Sequence, residues 1–261
     1  MRITQSGKSP CFVRSCSYSN FNAMNIVLLS ESDFTDKNRA VIADSRLEHL
    51  HKVLNVKQGD TLKVGIVNGQ IGIGIVECLN NEECSLTVDL NSPPPEALPC
   101  TLVIAMPRPK TLKRSLEAAI AMGVKRIFII GSYRVEKSYW SSPVLSSEYL
   151  HKLSMLALEQ ACDTVLPEIQ IRKLFRPFVE DELTLISQDA KAIIAHPYAP
   201  SFSMSVVREN KQKVVLVIGP EGGFIPFEIN LLEKQGCTTV SFGNRILRVE
   251  QAVPAILAKL F

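Results

Sequence analysis

The sequence has little that would anchor it to a membrane or to a metal ion. No apolar run approaches the roughly 20 residues that a membrane-spanning helix needs. Its 7 cysteines are scattered and never spaced Cys-x-x-Cys, which argues against a zinc motif and against a framework of disulfide bonds. The histidines His49, His51 and His151 show no metal-ligand spacing either. We therefore expect a cytoplasmic chain that binds neither membrane nor metal.

A strong charge of one sign is also absent, since the net charge at pH 7 is only +3. Its distribution is uneven: residues 1–92 contain 9 Lys/Arg against 10 Asp/Glu, and residues 93–261 contain 20 against 16. A basic cluster without acidic residues begins a predicted helix and consists of Arg108, Lys110, Lys113 and Arg114. Phosphate groups bind well at such a helix start, where the cations themselves oppose the helix dipole. The pattern fits a solvated helix end about as well as a phosphate-binding surface.

The first 23 residues contain no acidic residue, whereas the segment that begins at Met24 resembles a strand. Basic residues occur at Arg2, Lys8 and Arg14, and no apolar stretch of about 7–15 residues indicates a secretory signal. The segment is either a disordered tail or mis-set start, or a weak organelle-targeting sequence. We favour the first interpretation.

At 261 residues and 46% hydrophobic, the chain can form one large or two small domains. Residues 24–92 read as short strands at 61–67, 71–78 and 85–90, with an Asn68-Gly69 hairpin turn between the first two. This pattern predicts a small β-barrel-like unit. The run of prolines in residues 93–99 can continue neither a strand nor a helix, so we place a stiff linker and a domain boundary there.

Residues 100–261 alternate between strand and helix patterns. Strands are predicted at 100–106, 126–130, 192–195, 214–218 and 238–242. Helices are predicted at 111–122, 147–162, after Ser203, at 226–235 and at 250–260. Such alternation is typical of an α/β domain with a parallel sheet.

Two of these strands end in glycine-containing loops. The first loop follows residues 214–218 and the second follows residues 238–242; they read Gly219-Pro220-Glu221-Gly222-Gly223-Phe224 and Gly243-Asn244-Arg245-Ile246-Leu247-Arg248. A single loop of this kind is most often only a turn. Two loops close together in sequence favour one pocket, in which glycines expose backbone N–H groups and Glu221 supplies a charged acceptor. Such a pocket suits a polar, partly cationic small ligand.

At these residues the chain resembles the SPOUT class of RNA methyltransferases and, within it, the family that methylates uridine N3 in 16S ribosomal RNA. The resemblance extends from about Met24 to the C-terminus and includes Met122-Gly123-Val124, Ser132, Glu159-Gln160, Pro167-Glu168 and His196-Pro197. It implies a C-terminal domain (100–261) with a trefoil knot, a PUA-like RNA-binding barrel (24–92), a homodimer and S-adenosylmethionine as the cofactor. The expected partner is small-subunit ribosomal RNA or the subunit itself.

The resemblance also implies roles for individual residues. The cofactor is expected among His196, Ile218, Gly219, Glu221, Gly222, Gly223, Phe242, Gly243, Ile246, Leu247 and Arg248. Arg248 and Arg134 are candidates for positioning the uracil or its phosphate, and Glu250 is the nearest carboxylate that could take a proton or orient an arginine. Glu250 could equally favour the N-terminus of the last helix, and Arg134 could be a surface charge.

The chain departs from the family pattern at Asn55, Ala119, Asp163 and Val249, where RNA or the active centre is expected. At Asp163 the charge is reversed relative to the family's arginine. Two functions therefore stay open. One is an active uridine-N3 methyltransferase of 16S ribosomal RNA; the other is a divergent paralogue that modifies another RNA or acts as a non-catalytic RNA-binding or ribosome assembly factor.

Overall fold

A computed structural model describes residues 25–52, 54–199 and 212–261. Within these residues the strands form two six-stranded sheets. The first sheet lies entirely in the N-terminal third of the chain, and the second is built from the remainder. The predicted helix-like stretch after Ser203 and the segment before Met24 lie outside the described residues.

The first sheet has the strand order β1-β4-β5-β6-β3-β2. Its strands are β1 (Val27–Leu29), β2 (Phe34–Asp36), β3 (Arg39–Ile42), β4 (Thr61–Ile66), β5 (Ile71–Leu79) and β6 (Cys84–Ser92). β1 pairs with β4 in parallel, and the other pairs are antiparallel. The single α-helix described in this region is α1 (Ser45–Lys52). The predicted strands at 61–67, 71–78 and 85–90 are confirmed to within two residues.

The predicted hairpin turn at Asn68-Gly69 is also confirmed. Asn68 adopts a φ of 59°, in the left-handed region that asparagine tolerates better than most residues. The Gly69 N–H donates to the Ile66 carbonyl at 2.8 Å, and the Ile66 N–H donates to the Gln70 carbonyl at 3.0 Å. The turn therefore sets the register between β4 and β5.

The second sheet has the order β12-β10-β11-β7-β8-β9, and all its pairings are parallel. Its strands are β7 (Cys100–Ala105), β8 (Arg126–Ile130), β9 (Glu168–Arg172), β10 (Lys191–Ala195), β11 (Val214–Ile218) and β12 (Thr238–Val240). The predicted α/β alternation is confirmed. β9 was not among the predicted strands. Its sequence, Glu-Ile-Gln-Ile-Arg, alternates between polar and apolar residues, and it forms a short strand at the edge of the sheet.

Helices cover both faces of the second sheet. They are α2 (Pro109–Ala121), α3 (Ser147–Ala161), α4 (residues 175–186, with a π-helical stretch at Phe178–Leu183), α5 (Pro226–Lys234) and α6 (Val249–Leu260). Short 3-10 turns occur at Glu31–Asp33, Lys137–Ser141 and Pro143–Leu145.

Successive side chains of each strand point to opposite faces of the sheet, so the core of this domain has two layers. On β7, Leu102 and Ile104 pack with α2, α3 and α6, whereas Val103 and Ala105 pack with α4 and α5. Each fully buried leucine or isoleucine stabilises the fold by about 1.5–3 kcal/mol. Because the central strands β7, β10 and β11 are apolar on both faces, the polar and glycine residues near them lie mainly beyond their ends, where a ligand site can form.

The two sheets are joined by hydrogen bonds near the end of α3. The Ile26 N–H donates to the Glu159 carbonyl at 3.1 Å, and the Asn68 N–H donates to the Thr164 carbonyl at 2.8 Å. Thr164 Oγ1 in turn donates to the Gly69 carbonyl at 2.6 Å. The hairpin turn of the first sheet therefore packs directly on the segment that follows α3.

Candidate functional site

A cavity of about 480 Å³ opens at the carboxyl-terminal edge of the second sheet. Segments that follow β8, β10, β11 and β12 form its walls, because the ends of parallel strands meet at one edge. The structure brings all of the residues predicted for the cofactor into these walls: His196, Ile218, Gly219, Glu221, Gly222, Gly223, Phe242, Gly243, Ile246, Leu247 and Arg248. Arg134 also lines the cavity.

The first loop, residues 219–224, favours glycine at two positions. Gly223 has a φ of +70°, in the left-handed region that other residues rarely adopt. A Cβ atom on Gly222 would lie 3.0 Å from Cδ of Arg134, and the Arg134 guanidinium donates to the Gly222 carbonyl. The missing side chain therefore allows Arg134 to pack along the backbone of this loop.

Glu221 connects the first loop to the basic cluster. Its Oε1 accepts a hydrogen bond from the backbone N–H of Arg108 at 2.9 Å, at the start of α2. A hydrogen bond with Tyr139 and the nearby Glu221 carboxylate raise the pKa of the Arg108 guanidinium, which therefore stays charged. The four predicted basic residues, Arg108, Lys110, Lys113 and Arg114, are all exposed. The Glu221 carboxylate therefore lies where the cavity meets the exposed basic cluster.

The second loop, residues 242–248, is held by fewer contacts. Lys259 on α6 donates from Nζ to the Phe242 carbonyl, and Ser241 Oγ donates to the Gly243 carbonyl at 3.1 Å. Beyond these bonds the loop exposes large apolar side chains: Ile246 is 69% exposed and Leu247 is 42% exposed. This wall of the cavity therefore presents apolar surface that the described residues leave uncovered.

Residues after β10 form a third wall of the cavity. This wall includes Tyr198, which the sequence did not predict as a site residue. His196 is fixed by its N–H, which donates to the Val240 carbonyl at 2.9 Å, and its Nδ1 accepts from the Tyr198 N–H at 3.3 Å. The Tyr198 ring meets the His196 ring edge-on, with centroids 5.9 Å apart, and is 79% exposed. The sequence signal that could have identified Tyr198 is its position shortly after the predicted strand at 192–195 and the pair His196-Pro197.

Arg248 and Glu250, both proposed for catalysis, take different positions. Arg248 lines the cavity at the start of α6, whereas Glu250 does not line it. The face of α6 that borders the cavity carries Val249, Ala252 and Ile256, with the i, i+3, i+7 spacing of one helical face. Glu250 is rotated by about 100° from Val249 and lies in the first turn, where a carboxylate favours the helix N-terminus. Glu250 therefore does not line the cavity, and its role in taking a proton or orienting an arginine stays a prediction.

Two of the four departures from the family pattern are structural. Ala119 is fully buried in the core between α2 and the sheet. Asp163 is 4% exposed and pairs with Lys125, whose Nζ lies 2.6 Å from its Oδ2, while its Oδ1 accepts from the Val165 N–H at 3.0 Å. Neither residue lines the cavity, so both lie away from the residues predicted for the cofactor.

The other two departures differ from one another. Val249 is 5% exposed and lines the cavity beside Arg248. Asn55 is exposed and has a φ of 48°, a left-handed conformation that asparagine tolerates. Of the four positions, Val249 is therefore the one that changes the chemistry of the cavity wall.

No group of three or more His, Cys, Asp or Glu side chains in the described residues is arranged to hold a metal ion. No helix in the same residues is long and apolar enough to cross a membrane.

Comparison with known proteins relates the chain to RNA-modifying enzymes. A family described as RNA methyltransferase domain matches residues 94–260. Among curated proteins, ribosomal RNA small subunit methyltransferase E of Treponema pallidum is 28% identical over 250 residues, which cover 90% of each protein. Ribosomal RNA small subunit methyltransferase E 1 of Borreliella burgdorferi is 26% identical and covers 89% of this chain and 95% of its own.

Solved structures of similar proteins share the fold. The crystal structure of a ribosomal RNA small subunit methyltransferase E from Neisseria gonorrhoeae, bound to S-adenosyl methionine, superposes with a TM-score of 0.71 at 20% identity. It covers 90% of this chain and 96% of its own. A probable rRNA-methyltransferase from Porphyromonas gingivalis gives a TM-score of 0.68 at 21% identity, covering 89% and 95%. The two-sheet α/β architecture is therefore common to these proteins.

Proposed function

Because the chain belongs to the RNA methyltransferase domain family, we propose that it transfers a methyl group from S-adenosylmethionine to N3 of a uridine in 16S ribosomal RNA. The relatives named above are small-subunit ribosomal RNA methyltransferases. The observation that carries the proposal is the single cavity that both glycine-containing loops line.

The residues of the cavity fit S-adenosylmethionine. Its volume of about 480 Å³ is in the range of pockets for small ligands. Apolar side chains at Ile218, Ile246 and Leu247 suit the adenine ring, and glycine backbone groups suit polar edges. The carboxylate of Glu221 suits a cationic part of the ligand. A structural neighbour is described as bound to the same cofactor.

The chemistry that we assign to this chain is positioning and charge stabilisation. S-adenosylmethionine brings its own electrophilic methyl group, so no metal is required. Uracil N3 is normally paired and must be exposed before it can approach the methyl group. Negative charge develops on the uracil as N3 loses its proton to water, and the N3–CH₃ bond that forms would replace the S–CH₃ bond of the cofactor. We assign the donors that meet this charge to Arg248 and Arg134, which both line the cavity.

RNA is proposed to reach the cavity along the basic cluster at the start of α2. Arg108 is joined to Glu221 in the cavity wall, so a phosphate bound by the cluster would lie beside the cofactor loop. We also propose that residues 24–92 form a PUA-like RNA-binding barrel, that residues 93–99 are the linker and that residues 100–261 form the methyltransferase domain. Ribosomal RNA as the substrate would place the protein in the cytoplasm.

A trefoil knot and a homodimer complete the proposal. The strand order supports a knotted path, since the chain leaves β9 at one edge of the sheet and returns as β10 beyond β11. The exposed side chains of Ile246 and Leu247 support a dimer, because a second subunit could cover this wall of the cavity.

Gene deletion tests the substrate. We expect a strain without this protein to lose one 3-methyluridine from its small-subunit ribosomal RNA. The 3-methyluridine should return when the wild-type gene is supplied. An unchanged level of 3-methyluridine would contradict this substrate. It would favour the second candidate, a paralogue that acts on another RNA or binds RNA without catalysis, for which Val249 in the cavity wall is the supporting observation.

A further inference from the structure

Glu228 is a buried carboxylate that no role described above uses. The residue is 2% exposed and lies in the first turn of α5. Its Oε1 accepts from the backbone N–H of Tyr133 at 2.8 Å. Its Oε2 accepts from Ser132 Oγ at 3.2 Å and from the Ile225 N–H at 2.9 Å. Three hydrogen bonds and the N-terminal end of α5 together compensate the carboxylate for the loss of water.

These donors belong to two segments that each adjoin residues of the cavity wall. Ser132 and Tyr133 lie in the turn after β8, and the next residue, Arg134, lines the cavity. Ile225 directly follows the first loop and is the N-cap residue of α5. β7 lies between β8 and β11 in the sheet, so no direct strand pairing sets the distance between the two segments. The Glu228 carboxylate bridges them.

The bridge determines how Arg134 meets the first loop. Arg134 donates to the Gly222 carbonyl, and its Cβ and Cδ lie 3.4 Å and 3.0 Å from the position that a Cβ on Gly222 would occupy. Because Gly222 lacks a Cβ, the Arg134 side chain can lie along the backbone of this loop, and its guanidinium reaches the Gly222 carbonyl from the turn after β8. A shift of the turn would therefore change both the shape of the first loop and the direction of the guanidinium.

We propose that Glu228 is a positioning residue for the cofactor site: it holds the turn that carries Arg134 against the first loop and so keeps this wall in the shape that S-adenosylmethionine requires. The inference rests on the proposed use of S-adenosylmethionine. A carboxylate suits this task because both of its oxygens accept hydrogen bonds. An amide in the same place would direct an NH₂ group at one of the backbone N–H groups.

The test compares Glu228→Gln with Glu233→Gln. Glu233 lies on the same helix and accepts from Thr239 Oγ1 at 2.7 Å, outside the cavity. S-adenosylmethionine is titrated calorimetrically at 10 °C, and the unfolding temperature of each protein is measured. We expect Glu228→Gln to weaken cofactor binding about tenfold, which corresponds to about 1.4 kcal/mol. Glu233→Gln should bind within twofold of the wild type.

A gentler variant and a double variant separate positioning from a general loss of stability. Ser132→Ala removes only the hydroxyl bond and should weaken binding about twofold to threefold while the protein stays folded. If Glu228 acts through Arg134, Arg134→Ala combined with Glu228→Gln should weaken binding by less than the product of the single effects.

The outcomes are distinct. Wild-type protein that is folded and does not bind S-adenosylmethionine would contradict the proposed function itself. Wild-type protein that binds, with a Glu228→Gln variant that binds equally well and only unfolds at a lower temperature, would overturn the positioning role. Multiplicative effects of Glu228→Gln and Arg134→Ala would overturn the route through Arg134.

Discussion

The two loops that line the cavity are held in different ways. The first loop, residues 219–224, is joined to its surroundings through Glu221, Gly222 and the bridge formed by Glu228. The second loop, residues 242–248, has the bond from Lys259 to Phe242 and leaves Ile246 69% exposed. One wall is therefore preorganised, whereas the other has apolar surface that a ligand or a second subunit can cover. This difference predicts that changes in the first loop affect cofactor binding most.

Filling the first loop should have the largest effect. We expect Gly222→Trp to weaken S-adenosylmethionine binding more than a hundredfold, because Gly222 and Arg134 both line the cavity and a Cβ at position 222 would already lie 3.0 Å from Cδ of Arg134. Leu185→Trp is the matched control, since Leu185 is 72% exposed and does not line the cavity. Calorimetric titration measures both. Binding by Gly222→Trp within threefold of the wild type would place the cofactor elsewhere.

Arg248, at the end of the second loop, should affect the reaction more than binding. We expect Arg248→Ala to lower kcat about 100-fold, the scale seen when one donor to a developing anion is removed. The dissociation constant of S-adenosylmethionine should change by less than about threefold. Glu250→Gln is the comparison, because Glu250 does not line the cavity, and it should keep kcat within about twofold. The transfer of labelled methyl groups to small ribosomal subunits measures kcat of both variants. An equal loss of kcat in Arg248→Ala and Glu250→Gln would contradict the different positions of Arg248 and Glu250.

Loosening the second loop should have a moderate effect. Lys259→Met removes the bond to the Phe242 carbonyl and keeps much of the apolar stem. We expect about threefold weaker binding of S-adenosylmethionine, smaller than the tenfold expected for Glu228→Gln. Lys234→Met, in the last turn of α5, is the control. A larger effect at Lys259 than at Glu228 would reverse the comparison between the loops.

Breaking the buried ion pair between Lys125 and Asp163 should leave the structure of both loops unchanged. Asp163→Asn leaves Lys125 without its charged partner, and we expect a loss of about 3 kcal/mol in the free energy of unfolding. The unfolding temperature should fall by about 6–12 °C. Cofactor binding at 10 °C should stay within twofold of the wild type, because neither residue lines the cavity. Thermal unfolding and calorimetry test the two statements separately.

Strands with continuous apolar sequences were predicted most accurately. The predictions for residues 126–130 and 214–218 agree with β8 and β11 at both ends, since β11 is entirely apolar, β8 is apolar after Arg126, and a glycine follows close behind each strand. β9 was missed because alternating polar residues in a short edge strand resemble a loop. The ends of parallel strands converge, so the sequence pattern predicted that the two loops form one pocket, and the family resemblance predicted which residues line it.

Long-range contacts account for what the sequence did not predict. Asp163 reads as a charge reversal, and its partner Lys125 lies 38 residues away along the chain. Glu228 contacts Ser132 across 96 residues, although an acidic residue three positions into a predicted helix was a visible signal. Glu250 does not line the cavity although it is two residues from Arg248, because successive residues of a helix point about 100° apart, a difference that proximity in sequence does not show.

Methyl transfer to small ribosomal subunits tests the central claim most directly. Subunits from the deletion strain are incubated with S-adenosylmethionine and either wild-type protein or Gly222→Trp, and the nucleosides of the 16S RNA are analysed by mass spectrometry. The account predicts one 3-methyluridine with the wild type and none with the variant. The absence of 3-methyluridine with a folded, cofactor-binding wild type would contradict it, as would equal methylation by the variant.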